Sequence, residues 1–414
     1  MANSLRDTPD RGPFLAPGLR GRTSERTPGR ATDMCGDFTV GVEEEYQLVD
    51  AETAALRSRA RDVLVIDWSD EIRPELQETT LEIGTRICNS AAEVERELKR
   101  LRFQVATAAA TEGLEIVAAG MHPFSTWTGQ VPASGARYRE ILARYGRTAR
   151  DEHIFGMHVH VGVPQSFDRI RLLNVVRHYV PHLLALSCSS PFFEGEDSEY
   201  ASFRMILWRR WPNSGTPPRL ESGEEYRRLI AQLLAVGAIR DERNLYWAIR
   251  PHAVYPTLEF RIMDVCPRVD DAVAIAALTR ALVAAAAEGD LREPHDDGFS
   301  VGAWQTALAS NEWAVTRFGL DAIVIDPAAA DHQTPIRTAI RQLVERLMPT
   351  AEALGDAHAL ERVEVILNRG NGADRMRAVA RERGGLAALV RWLVGETLLG
   401  TGVDRRFAQR EVSA

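Results

Sequence analysis

Lysine is almost missing from this chain. Of 50 basic residues, set against 58 acids, Lys99 is the one lysine, and it falls inside an amphipathic helix pattern. Neither a Schiff-base lysine nor a phosphate-loop lysine is expected, and no GxxxxGK[ST] stretch occurs. Any phosphate bound here must be held by arginine, backbone amides or a metal ion. Cysteine is sparse as well. Cys35, Cys88, Cys188 and Cys266 stand singly without a CxxC pair, which argues against a zinc site and for reduced thiols in a cytosolic protein. No apolar run reaches about 18 residues, and the amino terminus lacks a signal-type apolar stretch, so a cytoplasmic location without a membrane partner is expected. There is no surplus of positive charge either. A net charge of −8 and a pI near 5.8 argue against nucleic-acid binding and for small-molecule substrates.

Hydrophobic residues make up 45% and charged residues 26%, the balance of a globular protein with a sizeable core. Residues 1–36 mix Arg, Pro, Gly, Thr and Asp with almost no spaced apolar positions and are expected to form a disordered tail. Residues 37–414 are expected to form one catalytic domain. Strands are expected from Phe38, at Glu75 to Ile83, Leu114 to Ala119, Gly156 to Val163 and Thr257 to Met263. Ser90-Ala-Ala-Glu93 reads as a capping box opening a helix that ends at Gly113. Further helical patterns cover roughly 168–187, 221–237, 269–288, 303–318, 334–356 and 385–400. Strands and helices do not alternate regularly around Gly-rich turns, so a doubly wound fold is disfavoured. The expected class is α+β with one large, mostly antiparallel sheet.

Three of these strands carry polar pairs opposite an apolar face. In Phe38 to Val49 the period of two places Val40, Val42, Tyr46 and Leu48 on one side and Gly41, Glu43, Glu45 and Gln47 on the other. Adjacent carboxylates repel, so either solvent screens them or a hard cation sits between them. In Gly156 to Val163, Met157, Val159 and Val161 face the core while His158 and His160 face away, beside two glycines that clear space. In Thr257 to Met263, Leu258, Phe260 and Ile262 form the buried side and Glu259 with Arg261 the other. Glu75 and Glu82 add two acids, but their spacing puts them on opposite faces of a straight strand, so both reach one site only through a bulge or turn. Carboxylates, imidazoles and guanidinium groups together suit metal-assisted nucleotide chemistry. On residues alone, ligase, kinase, metal-dependent hydrolase and inactive binding protein all stay open.

In order, Gly41-Val-Glu-Glu-Glu-Tyr46, Pro74-Glu-Leu76 with Glu82, Ala119-Gly-Met-His-Pro-Phe124, His158-Val-His160, Tyr200-Ala-Ser-Phe-Arg204 and Thr257-Leu-Glu-Phe-Arg261 with Asp264 resemble the type 2 glutamate-cysteine ligase family of carboxylate-amine ligases. The likeness runs from about Phe38 to Leu398. It implies a glutamine-synthetase-like catalytic fold, a curved antiparallel sheet with helices on its outer side. It also implies formation of gamma-glutamylcysteine from glutamate, cysteine and ATP through an acyl phosphate. By residue-wise carry-over, Glu43, Glu45, Glu75, Glu82, His158 and Glu259 are implied Mg2+ ligands. Arg204 and Arg261 are implied catalytic groups, with Arg250, His160 and Arg261 on the ATP. For Ser202, His122 and Arg317 a structural role, respectively a turn hydroxyl, a strand-end hydrogen bond and a surface charge, stands beside the functional one. A homodimer is expected at family level only.

Overall fold

The computed structural model describes residues 37–64, 71–293, 300–326, 329 and 331–403; the expected tail, residues 1–36, lies outside them. The chain runs β1 (Val40–Asp50), α1 (Ala60–Val63), β2 (Ile72–Pro74), β3 (Thr80–Gly84), α2 (Ala91–Thr111), β4 (Leu114–Val117), α3 (Ala136–Tyr145), α4 (Arg147–Arg150), β5 (Gly156–Gly162), α5 (Arg169–Val176) and α6 (Val180–Ser187). It continues through a small hairpin of β6 (Phe192–Phe193) and β7 (Glu196–Asp197), then α7 (Phe203–Trp208), α8 (Gly223–Ala235), β8 (Ile249–Pro251), β9 (Thr257–Asp264), α9 (Val269–Glu288) and α10 (Val301–Phe318). A second hairpin, β10 (Ile323–Ile325) and β11 (Gln333–Pro335), leads into α11 (Ile336–Ala353), α12 (Ala357–Arg369), α13 (Gly372–Arg383) and α14 (Leu386–Thr397).

Seven strands form one sheet in the order β2-β3-β1-β5-β9-β8, with β4 pairing the end of β1, and every pairing is antiparallel. Helices α2, α6, α9 and α14 pack against it. The period of two explains which side they cover. Val40, Val42, Tyr46 and Leu48 of β1 and Met157, Val159 and Val161 of β5 are buried, as are Leu258, Phe260 and Ile262 of β9. Helix α9, Ala-rich and apolar nearly all round, is accordingly the central buried helix. Each buried Val, Leu or Ile side chain in this layer contributes about 1.5–3 kcal/mol.

The first strand also sends a charge to the apolar side. Glu44, between the two carboxylates of the polar face, is fully buried and meets Arg102 of α2 through two hydrogen bonds of 3.0 and 2.7 Å. Arg102 also donates to the carbonyls of Cys266, Pro267 and Thr397, and the Tyr46 hydroxyl donates to Glu44. Every strong group in this staple is satisfied, which is the condition for a buried ion pair to persist.

Four expectations are corrected. The helical pattern over 168–187 is broken into α5, a tight turn at Arg177–Tyr179 and α6, because Pro181 lacks the N–H that a continuous helix needs. Of the strand expected over Glu75 to Ile83, only Thr80 to Ile83 is strand, in β3; Glu75 to Thr79 form the turn that joins it to β2, in which the Thr80 amide bonds back to Gln77. At the start of α2 the Ser90 side chain accepts from the Glu93 amide, but Glu93 reaches the amide of Asn89 and not that of Ser90, so the capping box is half formed. The glycines of β5 clear space that is already filled: a Cβ on Gly156 would lie 2.5 Å from an Arg204 nitrogen, and one on Gly162 2.4 Å from the Thr39 hydroxyl.

Candidate active site

On the sheet face away from α9, pairing register alone lines up the polar side chains. Glu45 stands opposite Glu82, Glu43 opposite His158, His160 opposite Glu259, and Glu259 opposite Arg250. Directly paired residues on one face lie within side-chain reach. A bulge on β9 sets two residues, Arg261 and Ile262, against the single His158, which keeps Arg261 on the same side as Glu259. The turn between β2 and β3 brings Glu75 and Glu82 together, as their spacing required. Glu43, Glu45, Glu75, Glu82, His158, His160, Arg204, Arg250, Glu259 and Arg261 all line one cavity of about 590 Å³.

Within it, the ligand atoms of Glu43, His158 and Glu259 lie within 4.8 Å of one another. Burial alone would raise the Glu43 carboxyl, but His160 and His158 outweigh it and hold Glu43 well below the usual range. Burial would likewise raise Glu259, and Arg250 with Arg261 reverse this and keep it ionised. His158 is pushed down to about 4 by burial and by Arg261, so its imidazole is neutral and keeps a lone pair for a cation. Two carboxylates and one neutral imidazole fit a divalent ion of the Mg2+ or Mn2+ kind. Glu45, Glu75 and Glu82 form a second acidic flank. Burial pushes Glu45 up to about 7, helped by Glu75, while Arg204 and the Gly156 amide oppose this. Burial and the charges of Glu43, Glu75 and Glu45 also raise Glu82 well above its ordinary value, despite Arg73. A cluster that resists full ionisation when empty of counter-charge is one that a cation would stabilise.

The guanidinium groups are fixed by carbonyls and acids. Arg250 binds both oxygens of Glu259 at 2.7 and 3.1 Å and donates to the carbonyls of Arg243 and Leu245. Arg261 also pairs with Glu259. Arg204, 3% exposed, donates to the carbonyls of Ile262 and Arg261 and lies over the Trp208 ring. Behind it, Asp264 accepts from the Ser190 and Ser202 hydroxyls and the Ser189 amide, with Arg204 3.7 Å away. Gly120 is needed there, since a Cβ would lie 2.6 Å from the Asp264 carboxylate.

Ser202 thus bonds to Asp264 and is absent from the cavity lining. His122 lies outside the cavity lining, where its Nδ1 accepts from the amides of Phe124 and Ser125 while Nε2 meets the Ala54 carbonyl at 2.9 Å. Arg317 pairs with Glu199 and covers Tyr200, also outside the cavity. Sequence reading missed Arg73, which bridges Glu82 and Glu43, the latter at 3.6 Å. It also missed Glu152 and the aromatic wall of Tyr145, Trp208, Trp211 and Tyr246. Arg73 directly precedes the Pro74-Glu-Leu76 motif and could have been read with it; Trp211 follows α7 in a turn, and Glu152 precedes β5 outside any alternation.

Residues 39–391 match the model of glutamate-cysteine ligase family 2. A relative from Sorangium cellulosum, provisionally named glutamate–cysteine ligase 2, is 38% identical over 371 residues, 88% of this chain and 97% of its own. One of the same provisional name from Chloroflexus aggregans is 35% identical over 370 residues, 88% and 93%. The crystal structure of a glutamate–cysteine ligase from Francisella tularensis in complex with AMP shares the fold at a TM-score of 0.63 and 14% identity, covering 90% of this chain and 91% of that one. A bifunctional glutathione synthetase from Pasteurella multocida gives 0.61 and 14%, covering 89% and 53%. The expected α+β, glutamine-synthetase-like catalytic fold is therefore the one observed. The chain belongs to glutamate-cysteine ligase family 2 and is an ATP-dependent carboxylate–amine ligase.

Proposed function

We propose that residues 37–414 act as one catalytic domain that joins the side-chain carboxylate of L-glutamate to the amine of L-cysteine, giving gamma-glutamylcysteine, ADP and phosphate. The observation that carries this is the meeting of Glu43, His158 and Glu259 with three buried or half-buried arginines in one cavity. A carboxylate is too poor an electrophile for an amine, so phosphoryl transfer from ATP first makes an acyl phosphate, which the amine then opens with loss of phosphate. Glu43, His158 and Glu259 would hold the divalent ion, Mg2+, with Glu45, Glu75 and Glu82 beside them. When bound, the ion supplies charge neutralisation for phosphate oxygens.

Arg250, His160 and Arg261 border this group and suit the nucleotide phosphates, while Arg204 and Arg261 suit the charge that develops on the transferring phosphoryl. Their value rests on being fixed beforehand, so that no reorganisation is needed at the moment of reaction. No enzyme nucleophile is called for.

The test is ADP release by purified protein with ATP, Mg2+ and glutamate across a panel of amines, with and without chelator, alongside Glu43→Ala. Release that needs glutamate and cysteine, yields gamma-glutamylcysteine and is lost with chelator or in the variant supports the reading. Turnover with a different acid or amine keeps the ligase and changes its substrate. No ATP turnover with any pair overturns it.

A further inference from the structure

Glu152 lines the same cavity as Glu43, His158 and Glu259, from the connection between α4 and β5. The Trp211 indole lies beside its carboxylate. Its Oε2, shielded from solvent, has no hydrogen-bond partner among the described residues. Such an oxygen is costly to leave unsatisfied, and a half-turn about the last side-chain torsion exchanges it with its twin, so either can meet a donor in the cavity. Its strongest electrostatic neighbours are two carboxylates, Glu45 and Glu75, and the guanidinium of Arg204. With Glu152 itself, three carboxyl groups face one guanidinium, an imbalance that a cationic donor relieves. The adjacent wall is aromatic: Tyr145, Trp211 and Tyr246 pack with ring centroids 4.9, 4.7 and 6.0 Å apart. Aromatic faces favour a cation over a neutral donor.

We propose that Glu152 is the receptor for the amine substrate, binding it as a primary ammonium and taking the proton that must leave before the nitrogen can attack. This rests on the ligase reading above. The ammonium gives one proton to the Glu152 carboxylate. The freed nitrogen pair forms the C–N bond as the bond from acyl carbon to phosphate oxygen breaks, and the second N–H proton departs on the phosphate as its monohydrogen form. Burial and Glu45 raise the Glu152 carboxyl well above its ordinary value, so it holds a received proton more firmly than an exposed carboxylate would.

The experiment compares wild type and Glu152→Gln in two glutamate-dependent reactions: turnover with the primary amine that supports ADP release, and trapping of the acyl phosphate by hydroxylamine, which is neutral near pH 7 and needs no proton acceptor. The variant is expected to lose on the order of 100-fold in kcat/KM for the amine while hydroxamate formation stays within about threefold. Its melting midpoint should hold or rise, because a buried carboxylate without its full set of partners has been removed. Equal loss in both reactions, loss in neither, or loss of the fold overturns the assignment. If wild-type protein forms no hydroxamate and releases no ADP, the ligase reading itself falls, a different result from failure of Glu152 alone.

Discussion

Replacing Gly156 by alanine tests whether the position of one guanidinium governs the chemistry. The new Cβ would lie 2.5 Å from Arg204 Nη2, 3.2 Å from its Cζ and 3.4 Å from its Nε. The backbone itself tolerates alanine, since Gly156 is an ordinary strand residue without positive φ. The clash is with the far end of a side chain, so relief comes from moving Arg204 by roughly 1 Å off the carbonyls of Arg261 and Ile262, a displacement that can cost about 100-fold in rate. Stability should change little: a strained arginine is offset by the reduced freedom of the unfolded chain, worth about 0.4–1 kcal/mol. The expected result is glutamate-dependent ADP release down by about two orders of magnitude with a melting midpoint shifted by less than about 3 °C. Wild-type turnover in Gly156→Ala would refute the claim that Arg204 placement matters. A collapse in melting temperature would show that the glycine serves packing instead.

The staple under the sheet and the turn histidine give two further tests. Arg102→Met strands the fully buried Glu44 charge and should destabilise by about 3–5 kcal/mol in chemical denaturation, with most of the loss recovered when Glu44→Gln is added; a loss below about 1 kcal/mol would contradict the staple. His122 is pushed down to about 4 by burial, and Nδ1 already accepts two amides, so the folded ring stays neutral while the unfolded one protonates below 6.5. Its contribution is present above pH 6.5 and is lost as pH falls toward about 4, by up to roughly 3 kcal/mol. Histidine-resolved NMR titration reads this directly, and protonation of His122 at pH 6 in folded protein would contradict it.

The polar face was legible because a half-buried strand alternates. Glu43 with Glu45, His158 with His160, and Glu259 with Arg261 each follow from period two against an apolar face, and pairing register then carries them into one row. Where function depends on contacts distant in the chain, the sequence is silent. Glu44 finds its partner 58 residues on in α2, and the serines that hold Asp264 come from a loop with no period. Glu152 belongs to neither helix nor strand, so no periodicity marks it. Helix α3, which helps enclose the cavity, carries Tyr138, Ile141, Leu142 and Tyr145 at helical spacing, but its 10 residues make a short stripe that is nowhere fully buried.

The single lysine has a practical consequence. Lys99 lies on α2, half-buried and paired with Glu95 at 2.6 Å, and it is absent from the cavity lining. Reagents that acylate side-chain amines therefore find one ε-amine in the chain, away from the sheet face that carries the acids. The protein can be tethered or dye-labelled through that amine with its chemistry left open to solution. Dicarbonyl reagents, which attack guanidinium groups, would instead find arginines throughout the chain, those of the cavity among them.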